Sequence, residues 1–228
     1  MAQSLTSFEL EKIEKLRQAL GEKLLAETPI FNDDLSLHRW LVGWDYKFEE
    51  IVPRFANASK TLECLSLKDI IIEDIDELNL YLSAVTDASK YYSSSVLGFD
   101  DDGNVIFVNN IGSLDCKNLN KSTPNSDLYI NCITEAALTY QLIKCQEQKL
   151  GKKCGVRGII DLDGFGLDHF NNFASKVTRN LIKQLLSMFV DTSLQMFIIN
   201  AHPMATAALK LIMQVAETNT GQTYNAWI

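Results

Sequence analysis

The chain has 228 residues, of which 46% are hydrophobic and 22% charged, and its formal net charge is −8 at pH 7. A chain of this length can bury a sizeable core, as one large domain or as a small domain docked on a larger one. The acidic balance argues against nucleic acid as a partner, because that binding needs basic surface to release counterions from phosphates. It equally excludes docking on anionic membranes by simple charge.

The first third of the chain has the periodicity of helices and lacks a strand pattern. Apolar residues at spacings of three and four predict a helix over 7–27, with Ser7 as its cap. Further helices are predicted over 35–44 and 48–62, and a short one over 67–72. We therefore expect an all-helical N-terminal lobe over residues 1–82.

The rest of the chain alternates strands with helices. A turn over 98–104 leads into a strand over 105–108, and a long helix follows over 124–149. Apolar strands are predicted over 156–162 and 196–199, with a helix ending near Phe189 between them. Strand, helix and strand at this spacing imply a right-handed crossover onto a parallel sheet. The predicted class is α/β, with a second domain over residues 88–228.

Four segments carry motifs in a fixed order: HRWLVGWDYKFEEIVPRF (38–55), LGFDDDGNVIFVNNIGSLDCKNL (97–119), IIDLDGFGL (159–167) and MFIINA (196–201). In this order they resemble the CRAL-TRIO lipid-binding family, in particular its secretory-pathway phosphatidylinositol transfer protein-like and supernatant protein factor-type members. The resemblance implies a helical lobe beside a mostly parallel sheet that forms the floor of an apolar pocket. It also implies that the protein binds one hydrophobic molecule and moves it between membranes.

The resemblance implies that inward-facing strand residues line this pocket. The candidates are Val105, Phe107, Val156, Ile160, Phe197 and Ile199. Burying acyl chains there is favourable by about 0.8 kcal/mol per CH₂, so such a pocket can compete with a bilayer. Each candidate also fits a plain core position, because an apolar strand residue has the same pattern beside a lipid or beside a helix.

The headgroup residues of phosphatidylinositol-binding members are largely absent from this chain. Arg39 alone remains of the family's basic RARKF run, and the family's acidic position matches Asp191. Arg39 and Asp191 are therefore the candidate headgroup residues. Phosphatidylcholine binders carry hydroxyl residues on the central strand, where this chain has Val156 and Gly158. Since a phosphoinositide needs charge-assisted donors to its phosphates, the resemblance implies a more neutral ligand, such as a tocopherol, a sterol precursor or a squalene-like lipid, or no ligand.

The end of the chain departs from the family pattern. After MATAALKLI (204–212) the family continues with a gating helix and another strand, which residues 213–228 do not resemble. We therefore expect a truncated CRAL-TRIO domain, as in a shortened isoform, without the gate helix and the last strand. Such a sheet would expose an edge.

The acidic turn after the strand over 156–162 offers an enzymatic alternative. Asp161-Leu-Asp163-Gly164 matches the start of haloacid-dehalogenase phosphatases, in which the first aspartate is the nucleophile, the second an acid/base, and Mg²⁺ bridges both to phosphate. Too few residues follow Asp163 for the remaining motifs of that class. Both aspartates also fit a role in capping the next helix or accepting hydrogen bonds from amides of the turn.

The sequence therefore predicts a non-enzymatic protein without cofactor or metal, which transfers or presents a neutral lipid, a tocopherol-like molecule or a phospholipid. The alternative is a lipid-independent regulatory or scaffold protein with a collapsed pocket. Five cysteines without CxxC spacing, and a sequence without a recognisable signal peptide or membrane span, predict reduced thiols and a cytoplasmic location. Besides the ligand, the expected partners are the surface of Golgi or endosomal membranes, contacted transiently, and a protein of signalling or trafficking.

Overall fold

The computed structural model describes residues 5–72, 74–92, 94–210 and 226–227. Its first part is helical, as the periodicity predicts. The helices are α1 (Ser7–Leu20), α2 (Glu22–Ala26), α3 (Asp34–Gly43), α4 (Phe48–Cys64) and α5 (Ile75–Leu82), with a 3-10 turn at Pro29–Phe31 between α2 and α3.

The first predicted helix differs in two ways from its expected form. Gly21 has a φ of 78°, which glycine adopts without steric cost, so the single helix over 7–27 is divided into α1 and α2. The N-cap is Thr6 and not Ser7. The Thr6 hydroxyl accepts a hydrogen bond from the Glu9 amide, and the Glu9 carboxylate accepts one from the Thr6 amide. This reciprocal capping box satisfies two amides at the start of α1.

The prediction of a short helix over 67–72 is wrong. Residues 67–72 are not helical, and the side-chain amide of Gln141 binds their backbone at Ile70 O (2.7 Å) and Ile72 N (3.2 Å). The next helix is α5, whose N-cap Asp74 accepts hydrogen bonds from two amides of the first turn. Hydrogen bonds with Gln141 therefore hold this segment in a non-helical conformation. The next helix begins only after its N-cap residue, Asp74.

The second part is the predicted α/β layer. Its strands are β1 (Ser94–Phe99), β2 (Val105–Asn110), β3 (Val156–Asp161), β4 (Ser193–Ile199) and β5 (Ala226–Trp227). Its helices are α6 (Cys116–Ser122), α7 (Asn125–Leu150), α8 (Leu167–Ala174), α9 (Lys176–Met188) and α10 (203–210). The strands lie in the order β1-β2-β3-β4-β5, with β1 antiparallel to β2 and the others parallel. The α/β class with a mostly parallel sheet is confirmed.

The sheet edge beside β4 differs from the expectation that a last strand is missing. Ala226 pairs with Met196 and Trp227 with Phe197, so β5 adds a short parallel strand at this edge. Pairing of this kind satisfies backbone groups that an open edge would leave free. Residues 211–225, on which the prediction about the gate helix bears, lie outside the described residues.

The largest core cluster joins the helical part to the α/β part. The ring of Phe31 has its centroid 5.2–6.0 Å from the rings of Trp40, Phe55, Tyr140 and Phe189. All five side chains are buried, and edge-to-face pairs of this kind add about 0.5–1.5 kcal/mol each beyond their area burial. Helices α3 and α4 therefore share one core with α7 and the end of α9.

A close backbone approach at Gly112 fixes the position of the turn that follows β3. A Cβ added at Gly112 would lie 1.8 Å from the carbonyl oxygen of Asp163. Gly112→Ala is expected to lower the free energy of unfolding by about 1–3 kcal/mol, because backbone must shift to relieve the overlap. Gly98→Ala is the matched control, since a Cβ at Gly98 meets nothing within 4 Å. Urea unfolding of both variants tests this, and equal stabilities would contradict the close approach.

Candidate functional site

One face of the sheet borders an apolar space. A cavity of about 320 Å³ lies between β2, β3 and β4 on one side and α7, α9 and α10 on the other. Its wall is predominantly apolar and includes Ile160, Leu162, Leu181, Leu185, Met196 and Leu209. Leu181 and Leu185 lie one turn apart on α9, so both point to the same side of that helix.

A second cavity adjoins the first. It has a volume of about 270 Å³ and lies between α7, α9 and the sheet. Five residues line both cavities: Tyr92, Asn109, Cys132, Leu185 and Met196. Because these residues are common to both walls, the two spaces are neighbours along one groove. We refer to the pair as the twin cavity.

Four of the six predicted pocket residues face the side of the sheet that carries the twin cavity. Phe107 and Val156 line the second cavity, and Ile160 lines the first. Val105 lines neither, because it is fully buried in a separate cluster that also holds Val96 from β1 and residues of α7. Val105 is therefore a core residue. The contact of the other three with a lipid stays a prediction.

The pocket prediction is corrected for Phe197 and Ile199, because both residues lie on the opposite face of the sheet. Their side chains are 37% and 43% exposed. The reason is the register of the parallel pairing, in which Gly158 pairs with Met196. Side chains along a strand alternate between the two faces of the sheet. A shift of the pairing register by one residue therefore exchanges the residues that face the cavity with those that face away from it. Met196 occupies the position in the cavity wall that the sequence assigned to Phe197.

A polar group that the sequence did not reveal interrupts the apolar wall. Glu135 of α7 lines the second cavity, and its carboxylate accepts hydrogen bonds from the hydroxyls of Ser94 and Tyr92. Asn109 in turn donates to the Tyr92 oxygen at 2.7 Å. Burial raises the pKa of Glu135 to about 7 and the pKa of Tyr92 well above its usual value. The sequence signal was weak, since a glutamate within a helix is most often solvated.

Arg39 and Asp191, the candidate headgroup residues, lie together but do not line the twin cavity. The Arg39 side chain is 1% exposed. Its guanidinium donates to the Glu147 carboxylate and to the backbone oxygens of Cys154 and Asp191. The Asp191 carboxylate pairs with Lys153. We call Arg39 and its three acceptors the Arg39 clamp.

The headgroup prediction for Arg39 and Asp191 is therefore corrected. Arg39 lines neither cavity. Its two Nη atoms donate to the three acceptors, while its buried Nε has no hydrogen-bond partner among the described residues. The Arg39 clamp instead ties α3 to α7 and to the segments that precede β3 and β4. Its charge is compensated by a fully enclosed ion pair with Glu147.

The first aspartate of the phosphatase-like motif holds the turn after β3. Asp161 Oδ1 accepts from the amide of Asp163 at 2.9 Å and from the side-chain amide of Asn200 at 2.8 Å. The Asn200 hydrogen bond, followed by that from the Asp163 amide, lowers the pKa of Asp161. The carboxylate thus stabilises the ends of β3 and β4, which agrees with the turn role expected for Asp161.

Comparison with known proteins agrees with this architecture. The family model described as CRAL/TRIO domain matches residues 89–223, more than half of the chain. The chain belongs to the CRAL/TRIO family. The matched range begins before β1 and includes the strands β1–β4 and the helices α6–α10, so it contains all of the sheet but β5 and the α7–α10 side of the twin cavity.

This CRAL/TRIO chain is similar to a curated protein and to a solved structure. The Phosphatidylinositol/phosphatidylcholine transfer protein SFH7 of Arabidopsis thaliana is 27% identical over 138 residues, which are 59% of this chain and 24% of that protein. The chain thus spans about a quarter of the length of this curated relative. A solved structure, described as the crystal structure of Sfh5, matches with a TM-score of 0.64 and 11% identity over 98% of this chain and 81% of the other. This second likeness supports the fold alone. Within the described ranges, every helix is too short or too polar to span a bilayer.

Proposed function

We propose that this CRAL/TRIO chain binds one hydrophobic molecule non-covalently in the twin cavity and transfers or presents it, without catalysing a reaction. The observation that carries the proposal is the pair of adjoining, predominantly apolar cavities on one face of the sheet. Each methylene group moved from water into such a space contributes about 0.8 kcal/mol. Membership of the family and the name of the Arabidopsis relative, a phospholipid transfer protein, support the same function.

The charges around the twin cavity favour a neutral ligand over an anionic phospholipid. None of the described residues that line it is a lysine or an arginine. Arg39, the basic residue that the family resemblance suggested, is occupied in its clamp. A phosphate in the cavity would lack charge-assisted donors and would face the carboxyl group of Glu135.

The regulatory or scaffold function remains the alternative, and it requires a collapsed pocket. Phe107 and Ile160 would then fill the space by packing on each other or on the helices. In the structure both line open cavity volume instead, which favours ligand binding. A role at Golgi or endosomal membranes, with transient surface contact, stays a prediction.

The proposal is tested by filling the cavity. Leu185 lines both halves, so Leu185→Trp is expected to reduce bound lipid at least about ten-fold, the effect of losing the space of roughly two methylene groups. The measurement is quantitative mass spectrometry of solvent extracts from protein purified out of lipid-containing lysate. We expect about one lipid per chain for the unmodified protein.

Val177→Trp is the matched control, because Val177 lies on the same helix and is 43% exposed. It is expected to retain the lipid, with circular dichroism showing that both variants are folded. A folded unmodified protein that carries no lipid would favour the scaffold function. Equal lipid content in Leu185→Trp and Val177→Trp would remove the twin cavity as the binding site.

A further inference from the structure

The apolar wall of the second cavity contains a carboxyl group with spare hydrogen-bonding capacity. Glu135 is 9% exposed. Its Oε1 accepts from Ser94, while from the part of the chain that the structure describes its Oε2 accepts only a long 3.4 Å hydrogen bond, from Tyr92. Glu135 forms no ion pair within the described residues. A buried carboxyl group of this kind is costly unless further donors reach it.

A second polar group stands one helical turn away. Thr139 lies four residues after Glu135 on α7, so both side chains are on the same face of the helix. Thr139 also lines the second cavity. It is 6% exposed, and its hydroxyl oxygen has no hydrogen-bond partner among the described residues. The cavity thus offers an unsatisfied hydroxyl beside an acceptor with an open position.

The chemistry of these two groups matches a hydroxyl better than a charged group. A hydroxyl donates one hydrogen bond and accepts others, which suits an acceptor at Glu135 and a donor at Thr139. An anionic group would meet the carboxyl without a cation nearby. An ammonium group would require both ions to lose their hydration, a cost that often exceeds the gain from pairing. The raised pKa of Glu135, caused by burial, agrees with a site that favours neutral partners.

We propose that Glu135 and Thr139 form a subsite for the hydroxyl end of an otherwise apolar ligand. This inference rests on the proposed function, because it places the polar end of the molecule that the twin cavity holds. The apolar remainder extends past Met196 and Leu185, which line both cavities, toward Ile160 and Leu181. On the other side, Tyr92 and Glu135 also border a more polar surface depression of about 590 Å³. The ligand is therefore oriented with its hydroxyl near the polar side.

The test uses three probes of equal chain length: dodecane, dodecanol and dodecylammonium. Their affinities for the full chain, stripped of lipid, are measured by displacement of a fluorescent apolar dye. Dodecanol is expected to bind more tightly than either other probe. Glu135→Leu is expected to weaken dodecanol about 10–100-fold and Thr139→Val about 3–10-fold, as for buried hydrogen bonds to an ionisable and a neutral group. Neither change should weaken dodecane.

Thr134→Val is the matched control, because Thr134 is a buried residue of the same helix that lines neither cavity. It is expected to leave all three affinities unchanged, and circular dichroism confirms folding of each variant. Dodecanol affinity that is unchanged in both Glu135→Leu and Thr139→Val would overturn the subsite and leave the proposed function intact. Dodecylammonium binding that is tighter than dodecanol and lost in Glu135→Leu would overturn the choice of a hydroxyl. Failure of all probes to bind the unmodified chain would remove the proposed function itself.

Discussion

Glu147→Ala is expected to lower the free energy of unfolding by about 3–5 kcal/mol, the largest effect of a single substitution that we predict. The change leaves Arg39 buried at 1% exposure with its charge uncompensated. It also removes the acceptor for the amide of Cys154, which donates to Glu147 Oε1 at 2.9 Å. Both losses fall at the junction of α3, α7 and the segment before β3. Urea unfolding followed by circular dichroism measures the difference.

Two controls separate loss of the clamp from loss of a negative charge. Glu63→Ala removes a glutamate whose ion pair with Lys68 is 3.6 Å long and largely exposed on the Glu63 side, so its effect is expected to stay within about 0.5 kcal/mol. Arg39→Met together with Glu147→Leu replaces the pair by apolar groups, which should recover part of the stability. A loss below about 1 kcal/mol in Glu147→Ala would show that Arg39 finds another partner or remains hydrated.

Glu135→Gln is expected to change how stability depends on pH. Burial raises the pKa of Glu135 from 4.5 to about 7, so the folded state binds a proton that the unfolded state has released between these values. The folded state of the unmodified protein therefore loses stability as pH rises through this window, by about 3 kcal/mol in total. Glutamine does not titrate, so the Glu135→Gln variant does not lose stability from this position as pH rises.

The measurable quantity is the unfolding free energy of the unmodified protein minus that of Glu135→Gln. Between about pH 5.5 and pH 8, a range above the sequence pI of about 4.9, it is expected to fall by about 2 kcal/mol. Taking the difference cancels the other titrating groups. Glu63→Gln, an exposed position, serves as the control and should show no such trend. A flat difference for Glu135→Gln would mean that the carboxyl is hydrated and is not buried in the wall of the second cavity.

The sequence was sufficient for the elements whose pattern is local. The apolar run over 156–162 and the long helix over 124–149 are β3 and α7, with bounds that differ from the prediction by at most one residue. Asp161 also accepts a hydrogen bond from the Asp163 amide of its turn, as its position at the end of a strand suggests. Such features depend on hydrogen bonds between near neighbours, so they can be derived from a short window of residues.

Features that depend on register or on distant partners could not be derived in this way. The run Met196-Phe-Ile-Ile199 is apolar throughout, so nothing in it distinguishes the cavity face from the opposite face. Only pairing with β3 shows that Met196 faces the cavity and Phe197 does not. Likewise the acceptors of Arg39 lie 108–152 residues away in sequence. The family motif suggested a headgroup role for Arg39. In the structure Arg39 is buried and joins α3 to α7 and to the segments before β3 and β4.

The long sequence separation within the Arg39 clamp also has a consequence for synthesis on the ribosome. Arg39 and its acceptor at Asp191 are 152 residues apart, so about 8–30 s pass between their translation at usual elongation rates. Its first acceptor, Glu147, is translated 108 residues after Arg39, so until then the guanidinium has no native acceptor and stays hydrated. The N-terminal helices therefore complete their packing only after β3 has emerged and the segment before β4 has left the ribosome. We expect a nascent chain arrested before Asp191 to expose the aromatic surface around Phe31 and Trp40 to chaperones.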